Sequence, residues 1–231
     1  VSRASGISGP ARRHIAGSRR PSGERNPEGR DIFRGMISPA GHANTGVGYS
    51  RANRGKMLNQ LRRQIIEELC IKKWRDAYFF PEHDGVKGWR GNARIMFVGL
   101  NPSMGTFPSK ADVMLYKTLS RHGLGNAHLT DLMKIRLSGS HVAESFAIPE
   151  LVNIHKAYLA KEVRILHPHT IVAFGRETFY LLQRWLPGEF RPRAVKIHHY
   201  SWAHRYGKRD VFARDMNGVK KRFDELERAG S

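Results

Sequence analysis

Three polar side chains, an amide, a carboxylate and an imidazole, each lie at the end of an apolar run that is typical of a buried strand. Asn101 follows the run 95–99, Asp131 lies near the end of the run 127–132, and His199 ends the run 194–199. The carboxyl ends of parallel strands share one edge of an α/β sheet, and ligands bind at that edge. The pattern therefore predicts one hydrogen-bonding site that holds all three side chains, with Gly175 of a further strand on the same rim.

The turn around Asn101 has two interpretations. Gly99 lets the backbone approach a neighbouring group closely, and Pro102 cannot continue a strand in a sheet interior. Asn-Pro-Ser is also an ordinary turn sequence that needs no chemical role. The functional interpretation is favoured because later strands end in the same way.

Strand and helix patterns alternate along the chain. The predicted helices cover about 56–74, 111–122, 149–166, 176–185 and 210–228. The predicted strands cover 95–99, 127–132, 170–175 and 194–199, and a loop is expected at 136–148. This alternation predicts an α/β fold, a three-layer α/β/α sandwich with a central, mostly parallel four-stranded sheet. Neither a Gly-x-Gly-x-x-Gly motif nor a phosphate-loop lysine motif is present, which argues against a dinucleotide or nucleoside triphosphate site.

The composition favours a polyanionic partner, nucleic acid first. The 231 residues include 40 Lys and Arg against 20 Asp and Glu, which gives a net charge of +20. The single cysteine, Cys70, excludes a disulfide framework, a four-cysteine zinc site and a cysteine-held iron–sulfur cluster, and its pattern predicts a small core residue. We expect no metal and no cofactor. No run of 18 apolar residues exists, so no membrane span is expected.

The first 50 residues differ from the rest. Residues 1–56 carry eleven basic and three acidic side chains, and Gly, Ser, Pro and Arg dominate without apolar periodicity. This predicts a basic, disordered arm at 1–50 in front of one domain at 51–231. Glycines and prolines interrupt any amphipathic targeting helix in the arm, so the expected location is intracellular, in the nucleoid, cytoplasm or nucleus, with organellar targeting left open.

The motifs around these strand ends resemble those of the uracil-DNA glycosylase superfamily. Gly99-Leu100-Asn101-Pro102-Ser103 resembles its first motif, and the helix–Pro–strand–Gly segment 164–175 resembles a later one. The second catalytic motif of the family is His-Pro-Ser, which His199-Tyr200-Ser201 matches at His and Ser only. The resemblance extends over about 57–228.

The resemblance implies roles for the strand ends. Asn101 would orient the water that attacks the sugar C1′, and His199 would donate to the negative charge that develops on the departing base. Gly99, Leu100 and Ser103 would line the base pocket. His198 should point to the opposite face of the strand from His199 and is not expected to take part.

Two aromatic residues and one loop have further implied roles. Phe107 and Tyr116 are the candidates for stacking on a flipped base, and both could equally be core residues. The loop Ser201-Trp202-Ala203-His204-Arg205-Tyr206 would contact DNA through Ser201, Trp202, His204 and Arg205, with Trp202 or Arg205 as a wedge in the minor groove. The alternative for Trp202 is packing against the last helix.

Asp131 departs from the pattern of the family, many members of which have Asn at this strand end. An ionised carboxylate accepts hydrogen bonds but cannot donate one to uracil O4. Either Asp131 is protonated in a closed pocket, or the base carries an amino group, or a backbone group recognises it. The Asn101 motif also resembles the mismatch-specific and single-strand-selective branches, which implies single-stranded or mispaired DNA as the partner of a monomeric protein.

These features predict a monofunctional DNA glycosylase that flips out and hydrolytically removes uracil or a related damaged base. One rival is a catalytically silent nucleic-acid-binding protein on the same fold, which the basic arm would suit. The other is an unrelated α/β hydrolase that acts on a nucleotide or small molecule. A closed pocket lined by Asn101, Asp131 and His199 would favour the enzyme over the binding protein.

Overall fold

The computed structural model describes residues 49–72, 74, 77–137 and 139–229. The predicted basic arm lies outside the described residues, apart from Tyr49 and Ser50. The strands are β1 Ile95–Gly99, β2 His128–Asp131, β3 Thr170–Phe174 and β4 Ala194–Ile197. The α-helices are α1 Arg51–Ile71, α2 Lys110–Arg121, α3 Gly139–Phe146, α4 Pro149–Leu166, α5 Arg176–Trp185, α6 Tyr200–Arg205 and α7 Arg209–Ala229. Short 3₁₀ helices span Gly88–Arg90 and Gly188–Arg193.

All four strands are parallel, in the order β2-β1-β3-β4. The central strands β1 and β3 are buried along their whole length, which explains why both are continuous apolar runs rather than alternating ones. Gly99 lies opposite Asp131 in the register of β1 and β2. The predicted parallel sheet is confirmed.

Alternate residues of each central strand face two separate helical layers. Met96, Val98, Ile171 and Ala173 belong to a core with buried residues of α1, α4 and α5. Ile95, Phe97, Val172 and Phe174 belong to a second core with buried residues of α2, α6 and α7. Because side chains alternate across a strand, this division puts helices on both faces of the sheet, and the predicted α/β/α sandwich is confirmed.

The structure differs from the sequence prediction at α1, which spans Arg51–Ile71 rather than about 56–74, and in three other places. The segment 136–148 is not only a loop, because it contains α3. Val142 and Phe146, one helical turn apart, pack against the core that α1, α4 and α5 share. The segment after His199 is the short helix α6 rather than a loop. Cys70 is exposed rather than buried, because it follows Leu69 of the buried stripe and one residue turns a helix by about 100°.

The remaining helix boundaries follow local chemistry. Pro149 occupies the first turn of α4, where its missing N–H leaves no bond unmade. Ser50 caps α1 by accepting from Asn53 N. In the described part of the chain, no helix combines the length and apolarity needed to span a bilayer.

Candidate active site

A cavity of about 110 Å³ opens at the carboxyl edge of the sheet. Asn101 after β1, Asp131 at the end of β2 and His199 after β4 all line it. The cavity is smaller than the roughly 300–1,000 Å³ sites of drug-sized ligands, so a single planar ring is the kind of group that suits it. Gly175 lies on the same edge beside His199 but lines a neighbouring groove instead.

The amide of Asn101 is held from its nitrogen side. Nδ2 donates to Pro102 O at 3.0 Å and to Leu137 O at 3.5 Å. Among the described residues, no hydrogen-bond donor lies on Oδ1 of Asn101. The side chain can therefore present a fixed acceptor to a water molecule, although an amide oxygen is too weak a base to deprotonate it.

The imidazole of His199 is fixed in one tautomer by the helix that follows it. His199 caps α6, and its Nδ1 accepts from Ser201 N at 3.2 Å while Ser201 Oγ lies at 2.8 Å. Because a backbone N–H can only donate, Nδ1 is the acceptor and the ring proton sits on Nε2. Burial lowers the pKa of His199 to about 4, so the ring is a neutral donor at neutral pH.

Asp131 carries a buried carboxyl group that packs against the backbone of Gly99 on the neighbouring strand β1. Only 5% of the residue is exposed, and Oδ2 is buried with no hydrogen-bond partner among the described residues. A Cβ on Gly99 would lie 2.1 Å from Asp131 Oδ1, so only glycine fits opposite it. Burial raises the pKa of Asp131 to about 7, although the nearby charge of Lys134 acts to lower it. Near neutral pH the group can exist as a donor or as an acceptor.

Below Asp131, a fully buried ionic cluster ties the end of β2 to α4. Lys134 Nζ donates to Thr130 Oγ1 at 2.6 Å and to the backbone oxygen of Asp131, and it lies 2.8 Å from Glu162 Oε1. His128 joins Trp89 O at 2.8 Å to Glu162 Oε2 at 3.1 Å. Burial alone would raise the pKa of Glu162, but Lys134 and His128 outweigh it and the pKa is lowered. The cluster therefore fixes the end of β2, which carries Asp131, against α4.

This cluster was missed from the sequence, although it left a signal. Glu162 falls among the apolar positions of α4, next to Val163 and three residues after Leu159. A carboxylate on a buried helix face requires a cationic or donor partner.

A second carboxylate, Asp112, lines the same cavity and was also missed. It forms a capping box with Ser109 at the start of α2, where Ser109 N donates to its Oδ2 at 2.9 Å. Tyr200 donates to its Oδ1 at 3.3 Å. Burial, together with the Asp131 and Asp112 carboxylates, raises the pKa of Tyr78 to about 12, so this lining phenol stays neutral. The Ser-x-x-Asp spacing at 109–112 is the sequence signal for the cap.

The other residues expected at the base site are divided. Gly99, Ser103 and Phe107 line the cavity. Leu100 is half-buried and packs against the core below α1 and α4. Tyr116 is fully buried, donates to Pro81 O at 2.8 Å and meets Phe107 edge-on at 5.5 Å. The stacking prediction for Tyr116 is therefore wrong, because its ring is enclosed by the core and supports Phe107 from behind.

The residues expected at the DNA contact lie on or beside α6. Ser201 lines the cavity with His199. Trp202 is 37% exposed and stacks on His198 at 5.0 Å, and His198 in turn pairs with Asp215 of α7 at 2.8 Å. Arg205 is exposed, whereas His204 lines a groove between α2 and α7. The helix thus points its side chains to three different surfaces.

Fold and site together define a parallel α/β/α sandwich with a small polar pocket at the carboxyl edge of its sheet. The described residues contain no group of three or more His, Cys, Asp or Glu that could hold a metal ion. The sequence model of the Uracil DNA glycosylase superfamily matches residues 88–224. The chain belongs to that superfamily, and the matched span contains all four strands and the pocket residues Asn101, Asp131 and His199. No curated protein matches the chain.

Proposed function

We propose that the protein is a monofunctional DNA glycosylase that hydrolyses the N-glycosidic bond of uracil or a related damaged base. Membership of the superfamily supports DNA as the substrate and glycosylase activity in general. The observation that carries the proposal is the pairing, in one cavity, of a fixed acceptor on Asn101 with a neutral Nε2–H donor on His199. These are the two groups that such a hydrolysis requires.

The mechanism follows from what each group can do. The Asn101 oxygen orients a water molecule without deprotonating it, so the bond to the base must largely break before the water attacks C1′. The leaving base then gathers negative charge, which Nε2–H of His199 stabilises as a preorganised donor; one such donor is typically worth about 3 kcal/mol. No lysine lines the described cavity, so no amine is placed to form a Schiff base with the sugar, and this favours a monofunctional reaction.

Recognition of the base requires that it leave the stack, because the cavity admits only a single ring. Phe107 supplies an aromatic surface for that ring. Asp131, with a pKa near 7, offers a donor to O4 of uracil when protonated and an acceptor when ionised. Flipping costs the least unpairing and unstacking free energy in a single-stranded or mispaired substrate, which is therefore the favoured one. The proposal includes a monomeric protein that acts inside the cell, in the nucleoid, cytoplasm, nucleus or an organelle.

The test is base excision by single variants under single-turnover conditions. Asn101→Ala and His199→Ala should each lower the rate by at least about 100-fold and leave DNA affinity nearly intact, because each removes one transition-state interaction. The substrates are oligonucleotides with uracil, hypoxanthine, xanthine or a thymine mispair. The matched control is Asn153→Ala on α4, which is exposed and at least 17 residues along the chain from any residue that lines the pocket.

A wild-type-like rate in either pocket variant would refute the assignment of that residue. Absence of excision from every substrate, with DNA binding retained, would favour the catalytically silent binding protein instead. The strong positive charge of the chain is the observation that keeps this second candidate, since it accounts for DNA affinity without any chemistry.

A further inference from the structure

A second and larger concave surface lies beside the pocket, between α2 and the start of α7. We call it the α2–α7 groove, and its volume is about 640 Å³. Its lining comprises Pro108, Lys110, Val113, Met114, Lys117, Thr118, Arg121, His204, Arg209, Asp210, Phe212 and Ala213. None of these residues lines the catalytic pocket, so the groove is a separate surface.

The charges of the groove are strongly unbalanced. Lys110, Lys117, Arg121 and Arg209 line it against one acid, Asp210. In the described part of the chain, none of these four cations has an ion-pair partner within 4.0 Å, although other surface lysines, such as Lys72 and Lys220, do. Cations left unpaired around one concave surface create a positive potential that attracts a polyanion.

The floor of the groove is apolar. Val113 and Met114 contribute from α2, and Phe212 and Ala213 from α7. His204 of α6 also lines the groove, and its Nδ1 is buried with no hydrogen-bond partner among the described residues. A ligand that combines negative charges with flat apolar rings that bear hydrogen-bonding groups would satisfy both the rim and the floor.

The groove adjoins the catalytic pocket along two segments of the chain. Phe107 and Ser109 line the pocket, whereas Pro108 and Lys110, which alternate with them, line the groove. On α6, Ser201 lines the pocket and His204, one helical turn later, lines the groove. A strand whose flipped nucleotide occupies the pocket can therefore reach the groove over either segment.

We propose that the α2–α7 groove binds single-stranded DNA next to the excised base, with phosphates on Lys117, Arg121 and Arg209 and bases on the apolar floor. This inference rests on the proposed function for the identity of the strand. The chain's own N-terminal arm is excluded as the occupant by charge, because it is itself basic. Duplex DNA suits the surface less, since paired bases cannot reach an apolar floor.

The first test measures binding of undamaged oligothymidylate, so it does not depend on excision. The triple variant Lys117→Gln, Arg121→Gln, Arg209→Gln removes three exposed cations on the groove. The matched control Lys156→Gln, Arg63→Gln, Arg164→Gln removes the same charges from exposed positions on α1 and α4, across the sheet. Both variants lower the net charge equally, so only the location differs.

The expected weakening can be worked out from counterion release. Each phosphate that a cation neutralises on single-stranded DNA adds about 0.7 to the log–log salt slope, so removing all three groove cations lowers the slope by about 2. Relative to about 1 M salt, where this contribution vanishes, the groove variant should lose about 100-fold in affinity at about 0.1 M salt. The control should lose much less. Equal losses in both triple variants would overturn the proposal, because binding would then follow net charge alone.

The second test locates the strand on wild-type protein and so avoids any question of variant folding. Oligothymidylate that contains a photoreactive thiothymidine is crosslinked and the attachment sites are mapped by mass spectrometry. Crosslinks within 108–121 or 204–213 are expected, and crosslinks confined to other surfaces would overturn the proposal. If an acidic peptide bound in the groove and oligothymidylate did not, the occupant would be a protein partner, and the proposal would be overturned.

The third test links the groove to catalysis. Single-stranded substrates of about 4 and about 16 nucleotides span the usual site sizes of such surfaces. Wild type and the control should process the longer substrate with higher kcat/KM, and the groove variant should lose that gain. If the proposed function itself fails, no substrate is cleaved, yet the binding and crosslinking results still stand. A length gain that survives in the groove variant would overturn the inference alone.

Discussion

Replacing Asp131 by Asn should change which base the protein excises and how excision depends on pH. The substitution keeps the shape of the side chain, removes a titratable group and adds a permanent donor. Uracil presents an acceptor at O4 and a donor at N3, and an amide satisfies both at any pH. A carboxyl group satisfies both only while it is protonated.

The pKa of Asp131 sets the size of the effect. With a pKa of about 7, about 1% of the carboxyl groups remain protonated at about pH 9. If only the protonated form binds uracil productively, the wild-type rate on uracil falls about 100-fold between about pH 5 and pH 9. Asp131→Asn should lack this decline, and should exceed wild type by about 100-fold on uracil at the alkaline end.

A base with an amino group in the O4 position should behave in the opposite way. Ionised Asp131 can accept from the amino group, whereas the amide would present a donor to it. A site built around a hydrogen bond can discriminate by about 10⁴-fold against a base that leaves it unpaired. The variant should therefore excise uracil faster than wild type and excise the amino-bearing base more slowly.

The same substitution makes a prediction about stability. The folded protein keeps a proton on Asp131 from pH 3.8 to about 7, where the unfolded chain has lost it, so the free energy of unfolding falls as pH rises through this window. At about 1.36 kcal/mol for each pKa unit, the loss approaches about 4 kcal/mol above pH 7. Asp131→Asn should recover this stability at pH 8 and change little at pH 4.

The assay compares single-turnover excision and thermal unfolding of wild type and variant over this pH range. Asp84→Asn in an exposed turn is the matched control, because Asn tolerates its positive φ of 49°. His199 stays neutral down to its pKa of about 4 and should add no acid limb near pH 6.5. If Asp131→Asn changes the excision rate of every substrate by the same factor and leaves the pH profile unchanged, Asp131 is a structural residue and the reasoning is refuted.

Two further predictions concern the arm and the buried cluster. Deleting residues 1–48, which keeps the Ser50 cap of α1, should leave the melting temperature nearly unchanged. The salt slope for binding duplex DNA should become shallower by about 0.9 for each phosphate that the arm neutralises. A large drop in melting temperature would show that the arm belongs to the core. Glu162→Gln should cost about 3–5 kcal/mol in chemical denaturation, because it leaves the buried amine of Lys134 without the carboxylate that pairs with it. Adding Lys134→Met should restore part of that loss, and strictly additive losses would show that the two side chains do not interact.

The fold was predictable because its strongest signals are local. The apolar runs of β1 and β3 are buried on both faces, and the heptad-like spacing of Leu58, Leu61, Ile65 and Leu69 in α1 records one buried stripe. The helix α3 was not predictable in this way, because among its described side chains the apolar contacts with the core come from Val142 and Phe146, and glycine, serine and proline lie in or next to it.

The strand pattern along the chain was enough to place Asn101, Asp131 and His199 on one edge, because parallel strands joined by right-handed crossovers leave no other arrangement. The chemical states of these three side chains depend instead on contacts between distant segments. The donor of His199 depends on an N–H of α6, and the pKa of Asp131 depends on burial against Gly99 and on the charges of Lys134 and Glu162. Tertiary packing also enclosed Tyr116 in the core and brought Arg209 of α7 beside the three cations of α2 in the α2–α7 groove. Solvent exclusion and through-space charge depend on which segments meet, and the order of residues along the chain does not reveal this.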